Sequence, residues 1–188
     1  MTSLPKRIEG FAIVSEDGML ADASGVMPDS LKFAADQVYF AEGLDRLDAV
    51  VHGRNSHEMQ PHSALRHRLT ITGAVAALAR DPADPKGWLW NPAGASFEQA
   101  WGALNIADGT LGVVGGTTVF GMFLDRYDLF HLTRAPGLHF PGGRPVFPGV
   151  PEKTPEAMLA AAGLTPGERR TLDDVHGLTV TIWRRCAD

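Results

Sequence analysis

The sequence predicts an α/β fold with a mostly parallel central sheet, helices on both faces and an antiparallel strand at the C-terminal edge. Three observations lead there. Short apolar runs at 10–14, 49–51 and 111–114 are bounded by polar or glycine residues, the pattern of strands buried on both faces. Stretches with helical spacing alternate with these runs, which calls for crossover connections and so for parallel pairing. The last apolar run, 178–183, follows an extended stretch instead of a helix, which predicts an antiparallel partner.

Gly10, Phe11, Ala12, Ile13 and Val14 make the first strand, followed by a glycine-containing loop over 15–28. Asp29 or Ser30 can cap a helix running to about residue 42, because Leu31, Ala34, Ala35, Val38 and Ala41 recur at helical spacing. Residues 48–52 read as a second strand ending at Gly53, and 69–72 as a third. The stretch 81–95 is loop-like, with a short strand at Trp88, Leu89 and Trp90. Ser96 caps a helix through about Leu104 that places Phe97, Ala100, Trp101 and Leu104 on one face. A strand at 111–114, a tight turn at Gly115 and Gly116, a short helix over 117–124 and a strand at 129–133 follow. Residues 136–155 are rich in proline and glycine and are expected to be irregular for most of their length.

A length of 188 residues predicts one domain over 1–188, since domains average roughly 150 residues. The net charge of -5 argues against a nucleic-acid groove, which needs a clustered basic face. Cys186 is the lone cysteine, so an intrachain disulfide and a cysteine-rich zinc site are excluded and a reducing compartment fits. Residues 1–9 are polar, without the apolar stretch of a signal peptide, and no run approaches the roughly 18 apolar residues of a membrane span. The expected location is the cytoplasm and the expected partner a small molecule; a homodimer stays open.

Two turns carry the strongest chemical signal. Val113 and Val114 lead into Gly115 and Gly116 and then into Thr117, Thr118 and Val119, so a buried strand opens through bare backbone onto a helix. Such a turn either accepts a phosphate on its free N–H groups or is a tight connection without a ligand. Gly116 is expected to need a positive φ or close approach to the ligand. The second turn, Gly53, Arg54, Asn55 and Ser56, also ends a strand, and Arg54 suits either a bidentate phosphate contact or a surface salt bridge. Two such turns together favour a dinucleotide over either alone. Asp36 lies in an apolar helix face, where it is either a carboxyl that burial keeps protonated or a solvated position. His52, His57, His62 and His67 recur every five residues, but that spacing does not share a helix face and Pro61 interrupts it, so no metal site is expected.

In order, four segments resemble the dihydrofolate reductase-like superfamily, which includes dihydrofolate reductases and the reductase domain of the riboflavin-biosynthesis deaminase–reductase. They are the strand and loop at 11–21, the run 48–54, the stretch 113–125 and the late segment 141–147. The resemblance implies a three-layer fold and NADPH bound across the two glycine turns. Gly53, Arg54, Asn55 and Ser56 would face its phosphates, and Gly115, Gly116, Thr117, Thr118 and Val119 its pyrophosphate. Thr72 and Gly73 would lie beside the adenosine 2′-phosphate, with the backbones of Ala12 and Leu20 near the nicotinamide. It also makes Asp36 the proton-donating or substrate-anchoring group, supported by Thr133, with Phe40 packed on the substrate ring. Arg66 falls where a folate carboxylate would be held, with Arg68 as the competing choice. Asp29 and Gln37 depart from the dihydrofolate reductase pattern, and the stretch 21–25 looks closer to the riboflavin-pathway reductase. The activity implied is hydride transfer from NADPH to a C=N or C=O bond of an aminopyrimidine-like substrate. Dihydrofolate reduction and a non-catalytic nucleotide-binding module are the alternatives.

Overall fold

The computed structural model describes residues 4–56 and 58–186. Five parallel pairings build its centre. The strands are β1 (Arg7–Ser15), β2 (Met19–Ala21), β3 (Ala49–Gly53), β4 (His67–Ile71), β5 (Leu78–Arg80) and β6 (Gly87–Trp90). They continue as β7 (Thr110–Val113), β8 (Leu129–Ala135), β9 (Arg144–Pro145), β10 (Leu164–Asp173) and β11 (Leu178–Arg185). The helices are α1 (Ala34–Leu44), α2 (Phe97–Leu104), α3 (Thr117–Met122) and α4 (Pro155–Ala161). Nine strands form one sheet in the order β10-β11-β8-β1-β7-β3-β4-β6-β5, while β2 and β9 pair separately. Antiparallel strands close both edges: β10 and β11 at one end, β5 at the other.

Alternation along β1 sorts the layers. Ile8, Ala12 and Val14 join the larger core with Phe97, Trp101 and Phe120 from α2 and α3. Phe11 and Ile13 point the other way, Phe11 into a cluster with Leu44 and Ile13 into one with Leu31. Helix α1 approaches β1 closely on that side because Gly43 has no side chain: a Cβ there would lie 2.5 Å from the Phe11 ring. α2 starts as predicted, with Ser96 Oγ accepting from the Gln99 amide at 3.2 Å and Gln99 Oε1 accepting from the Ser96 amide at 2.8 Å.

Two expectations need correction. The C-terminal edge is β10, with β11 one place inside it, paired to β8. β10 contains Pro166 and Gly167 and is exposed along most of its length, so it lacks the apolar alternation of a strand and uses charged residues suited to an edge. The helix expected from residue 29 breaks in two, because Phe33 is extended and Leu31 turns into the core: Asp29–Leu31 is a single 3-10 turn and α1 starts at Ala34. Helix α4 closes the irregular stretch; its start is marked by Pro155 in the first turn and Thr154 Oγ1 accepting from the Ala157 amide at 3.1 Å.

Gly43→Val should force α1 away from Phe11, whose ring is already stacked on a neighbour. Overpacking of this kind costs about 1–3 kcal/mol. The urea midpoint should fall accordingly, and an unchanged midpoint would show that α1 does not need this close approach.

Candidate active site

Ligands in open α/β sheets bind beyond the carboxyl ends of the strands. Here the ends of β1, β3 and β7 border a cavity of ≈ 700 Å³, well within the range of small-molecule sites. One wall carries Gly53, Arg54, Asn55 and Ser56, and beside it run Gly115, Gly116, Thr117, Thr118 and Val119. Ala12 and Leu20 form the floor, and Asp36, Phe40 and Thr133 the opposite wall. The Gly53 amide donates to the Gly115 carbonyl at 2.8 Å, which ties the two turns together. Gly115 has φ +117°, a region that favours glycine, whereas Gly116 has φ -88°. Of the two needs expected of Gly116, the positive φ falls on its neighbour and the close approach is the one that stays open. The Gly115–Gly116 peptide is cis. A Cβ on Gly116 would come 3.1 Å from Ser56 Oγ, narrowing the space between the turns. The first turn of α3 leaves the Thr117 and Thr118 amides without an intrahelical partner. The Thr117 hydroxyl donates to the Pro145 carbonyl, which holds β9 beside the turn. Arg54 is exposed and makes no ion pair among the described residues, so of its two readings the surface salt bridge is absent.

Asp36 sits in the first turn of α1 and accepts a hydrogen bond from Thr133. Burial pushes its carboxyl up to about 6, against the opposing effect of the Thr133 bond. Phe40, one turn further on, continues the same wall, with its ring centroid 5.9 Å from that of Phe11. The sequence reading missed a polar chain behind this wall. Tyr39 Oη lies 2.6 Å from His131 Nδ1, and His131 Nε2 lies 3.1 Å from a Glu9 carboxylate oxygen. Burial alone would raise the Glu9 carboxyl, but the hydrogen bond from His131, together with Arg7, holds it below its ordinary range. Both Tyr39 and His131 line the cavity. Polar residues inside the apolar runs of β1 and β8 were the available signal; their meeting depends on strand register, which sets His131 beside Phe11.

No family model matches the chain, and no curated protein matches it in sequence. Solved structures match it closely in shape. A pyrimidine reductase-like protein from Corynebacterium diphtheriae superposes with a TM-score of 0.68 at 15% identity, over 97% of this chain and 92% of the other. A protein ascribed to riboflavin biosynthesis from a Shewanella species gives 0.65 at 20% identity, over 96% and 99%. Dihydrofolate reductase from Enterococcus faecalis, solved with NADP(H) and the compound RAB-propyl, gives 0.63 at 14% identity, over 97% and 98%. The fold is dihydrofolate reductase-like.

Four residues named by resemblance, Arg66 and its alternative Arg68 with Thr72 and Gly73, do not line the cavity of this dihydrofolate reductase-like fold. Arg66 is 4% exposed, and its guanidinium donates to Asp45 at 3.0 Å, to Glu58 at 3.0 Å and to the Pro61 carbonyl at 3.0 Å. Arg68 is held likewise by Glu58, Asp84 and the ring of His52. Neither arginine lines the cavity to receive a substrate carboxylate; they brace the loop whose Glu58 does border it. Thr72 and Gly73 follow β4 at the same carboxyl edge of the sheet as Gly53 but do not line the cavity, and the Thr72 hydroxyl accepts from the Ala74 amide at 3.1 Å. Among the histidines, His52 is bonded to Gly53 and Arg68, His62 to Asp45, and His67 lies on β4, while His57 lies outside the described residues. Among the described residues no group of three or more potential ligands stands together for a metal ion, and no helix is long and apolar enough to cross a membrane.

Arg66→Met should destabilise the fold by about 3 kcal/mol, the lower end of the usual cost of breaking a buried ion pair, because Arg68 still holds Glu58. Denaturant unfolding measures this. A fully stable variant would return Arg66 to the list of ligand-binding groups.

Proposed function

We propose that the chain is an NADPH-dependent reductase that transfers a hydride to a C=N or C=O bond of an aminopyrimidine-like substrate, as riboflavin-pathway reductases do. One observation carries the reading: a single cavity sets two glycine turns at strand ends against a carboxyl pushed up to about 6. The turns fit a dinucleotide because their backbones come together without Cβ atoms and Arg54 stands beside them without a carboxylate partner among the described residues. Gly53, Arg54, Asn55 and Ser56, with Gly115 to Val119, would hold the phosphates, and Ala12 and Leu20 would border the nicotinamide. The bound cofactor supplies the hydride. Asp36, protonated in part near neutral pH, holds a proton against the substrate, and Phe40 packs on its ring. The likeness to a dihydrofolate reductase solved with NADP(H) supports the cofactor. The burial of Arg66 and Arg68 supports an aminopyrimidine over dihydrofolate, since both guanidinium groups are already committed to Glu58.

The test is NADPH oxidation with 5-amino-6-(5-phosphoribosylamino)uracil and, separately, with dihydrofolate. Turnover of the first is expected. NADPH binding without oxidation in the presence of either would favour a nucleotide-binding module instead.

Two variants probe the halves of the site. Arg54→Ala removes a charge-assisted phosphate contact of about 1.5–3 kcal/mol, so the NADPH Kd should rise roughly tenfold or more. An unchanged Kd by fluorescence titration would remove Arg54 from the site. Asp36→Asn keeps the shape and deletes the proton, so kcat should fall roughly 10²–10⁴-fold while NADPH affinity holds. The protonated carboxyl is the working form, so wild-type turnover should decline as pH rises through about 6, and the Asn variant should lack that limb. A raised KM with kcat intact would instead make Asp36 an anchor only.

A further inference from the structure

Tyr39 stands one helical turn after Asp36 and lines the same cavity, but its hydroxyl is not free to point either way. The His131 ring that it meets is 4% exposed and stacks on Phe11 with centroids 4.2 Å apart and planes 5° from parallel. That ring cannot turn without unpacking the wall. Glu9, itself 4% exposed, is bound by Arg7 at 2.6 Å as well as by His131, so it is a carboxylate and can only accept. Nε2 of His131 therefore carries a hydrogen. In the uncharged imidazole Nδ1 is then bare, and the single hydrogen of the Tyr39 hydroxyl is donated to it. On its other side the Tyr39 ring faces Arg170 of β10, whose guanidinium lies 5.0 Å from the ring centroid.

We infer that the Tyr39 oxygen is an acceptor-only recognition point in the cleft that selects a ring N–H of the substrate, with His131 and Glu9 as the positioning residues that fix its direction. The substrate side of this inference rests on the reductase reading; the hydrogen-bond chain does not. Asp36 donates or accepts according to its protonation and so discriminates weakly between substrate groups. Tyr39 can only accept. A pyrimidine with a free ring N–H satisfies it, whereas the same ring methylated on nitrogen leaves the oxygen desolvated and unpaired.

The probes are 5,6-diaminouracil and its ring-N-dimethylated derivative, titrated calorimetrically into the full chain in the presence of NADPH. Wild type should bind the unmethylated ring at least about tenfold more tightly. Tyr39→Phe should weaken that ring by about tenfold and leave the dimethylated one nearly unchanged, so that most of the preference disappears. Nitrogen-15 spectra of the histidines in the unmodified protein should show His131 protonated on Nε2 and bare on Nδ1. A hydrogen on Nδ1 overturns the assigned direction. An undiminished preference in Tyr39→Phe, or equal weakening of both probes, overturns the selection by Tyr39 while leaving the reductase reading in place. Failure of wild type to bind either pyrimidine overturns the substrate class and the inference with it.

Discussion

The hydrogen bond from the Gly53 amide to the Gly115 carbonyl joins the ends of β3 and β7, and the rest of the site is arranged around it. Because those strands run parallel, their carboxyl ends lie at the same edge of the sheet, and the turns leaving them face one cavity. Gly115 takes a φ of +117° that favours glycine, and a Cβ on Gly116 would come 3.1 Å from Ser56 Oγ between the turns. β1, paired to β7 on one side and β8 on the other, carries Ala12 to the floor of the same cavity. The half of the cavity proposed to take the cofactor is thus a product of backbone geometry. Arg54, beside the first turn, makes no ion pair among the described residues.

The opposite wall is made by side chains and depends on packing. Gly43 brings α1 down onto Phe11, which sets Asp36, Tyr39 and Phe40 along the cavity. Burial then does to Asp36 what it does to any carboxyl moved out of water, and a single bond from Thr133 does not compensate it. Glu9 meets the reverse situation on the same side of the sheet: it too is removed from solvent, yet Arg7 and His131 hold it below its ordinary range. Two carboxyl groups are thus pushed in opposite directions, one suited to proton transfer and one to fixing a hydrogen-bond direction.

The elements with strong periodicity were legible before the structure. The apolar runs of β1, β3 and β7, the Ser96 cap and the two glycine turns all lie where residue pattern alone puts them. So did Asp36, as a carboxyl in an apolar helix face, although its solvated alternative could be settled only by the packing of α1. What escaped depended on partners distant in sequence. β10 has the composition of a loop and becomes a strand because β11 offers it an edge. Arg66 has the look of an anion-binding residue, and only the folded loop at 58–62 shows its guanidinium to be taken. The Tyr39–His131–Glu9 chain joins three elements, and polar residues in two strands give no local sign that they meet.

The central claim is that one cleft holds a nicotinamide dinucleotide across the two glycine turns with its reactive ring toward Asp36. A crystal structure of the chain soaked with NADPH tests it most directly. The account predicts phosphates against Gly53 to Ser56 and Gly115 to Thr118, with the nicotinamide beside Ala12 and Leu20 and an open space between it and Asp36. NADPH bound elsewhere, or bound with the nicotinamide pointing away from α1, would contradict it.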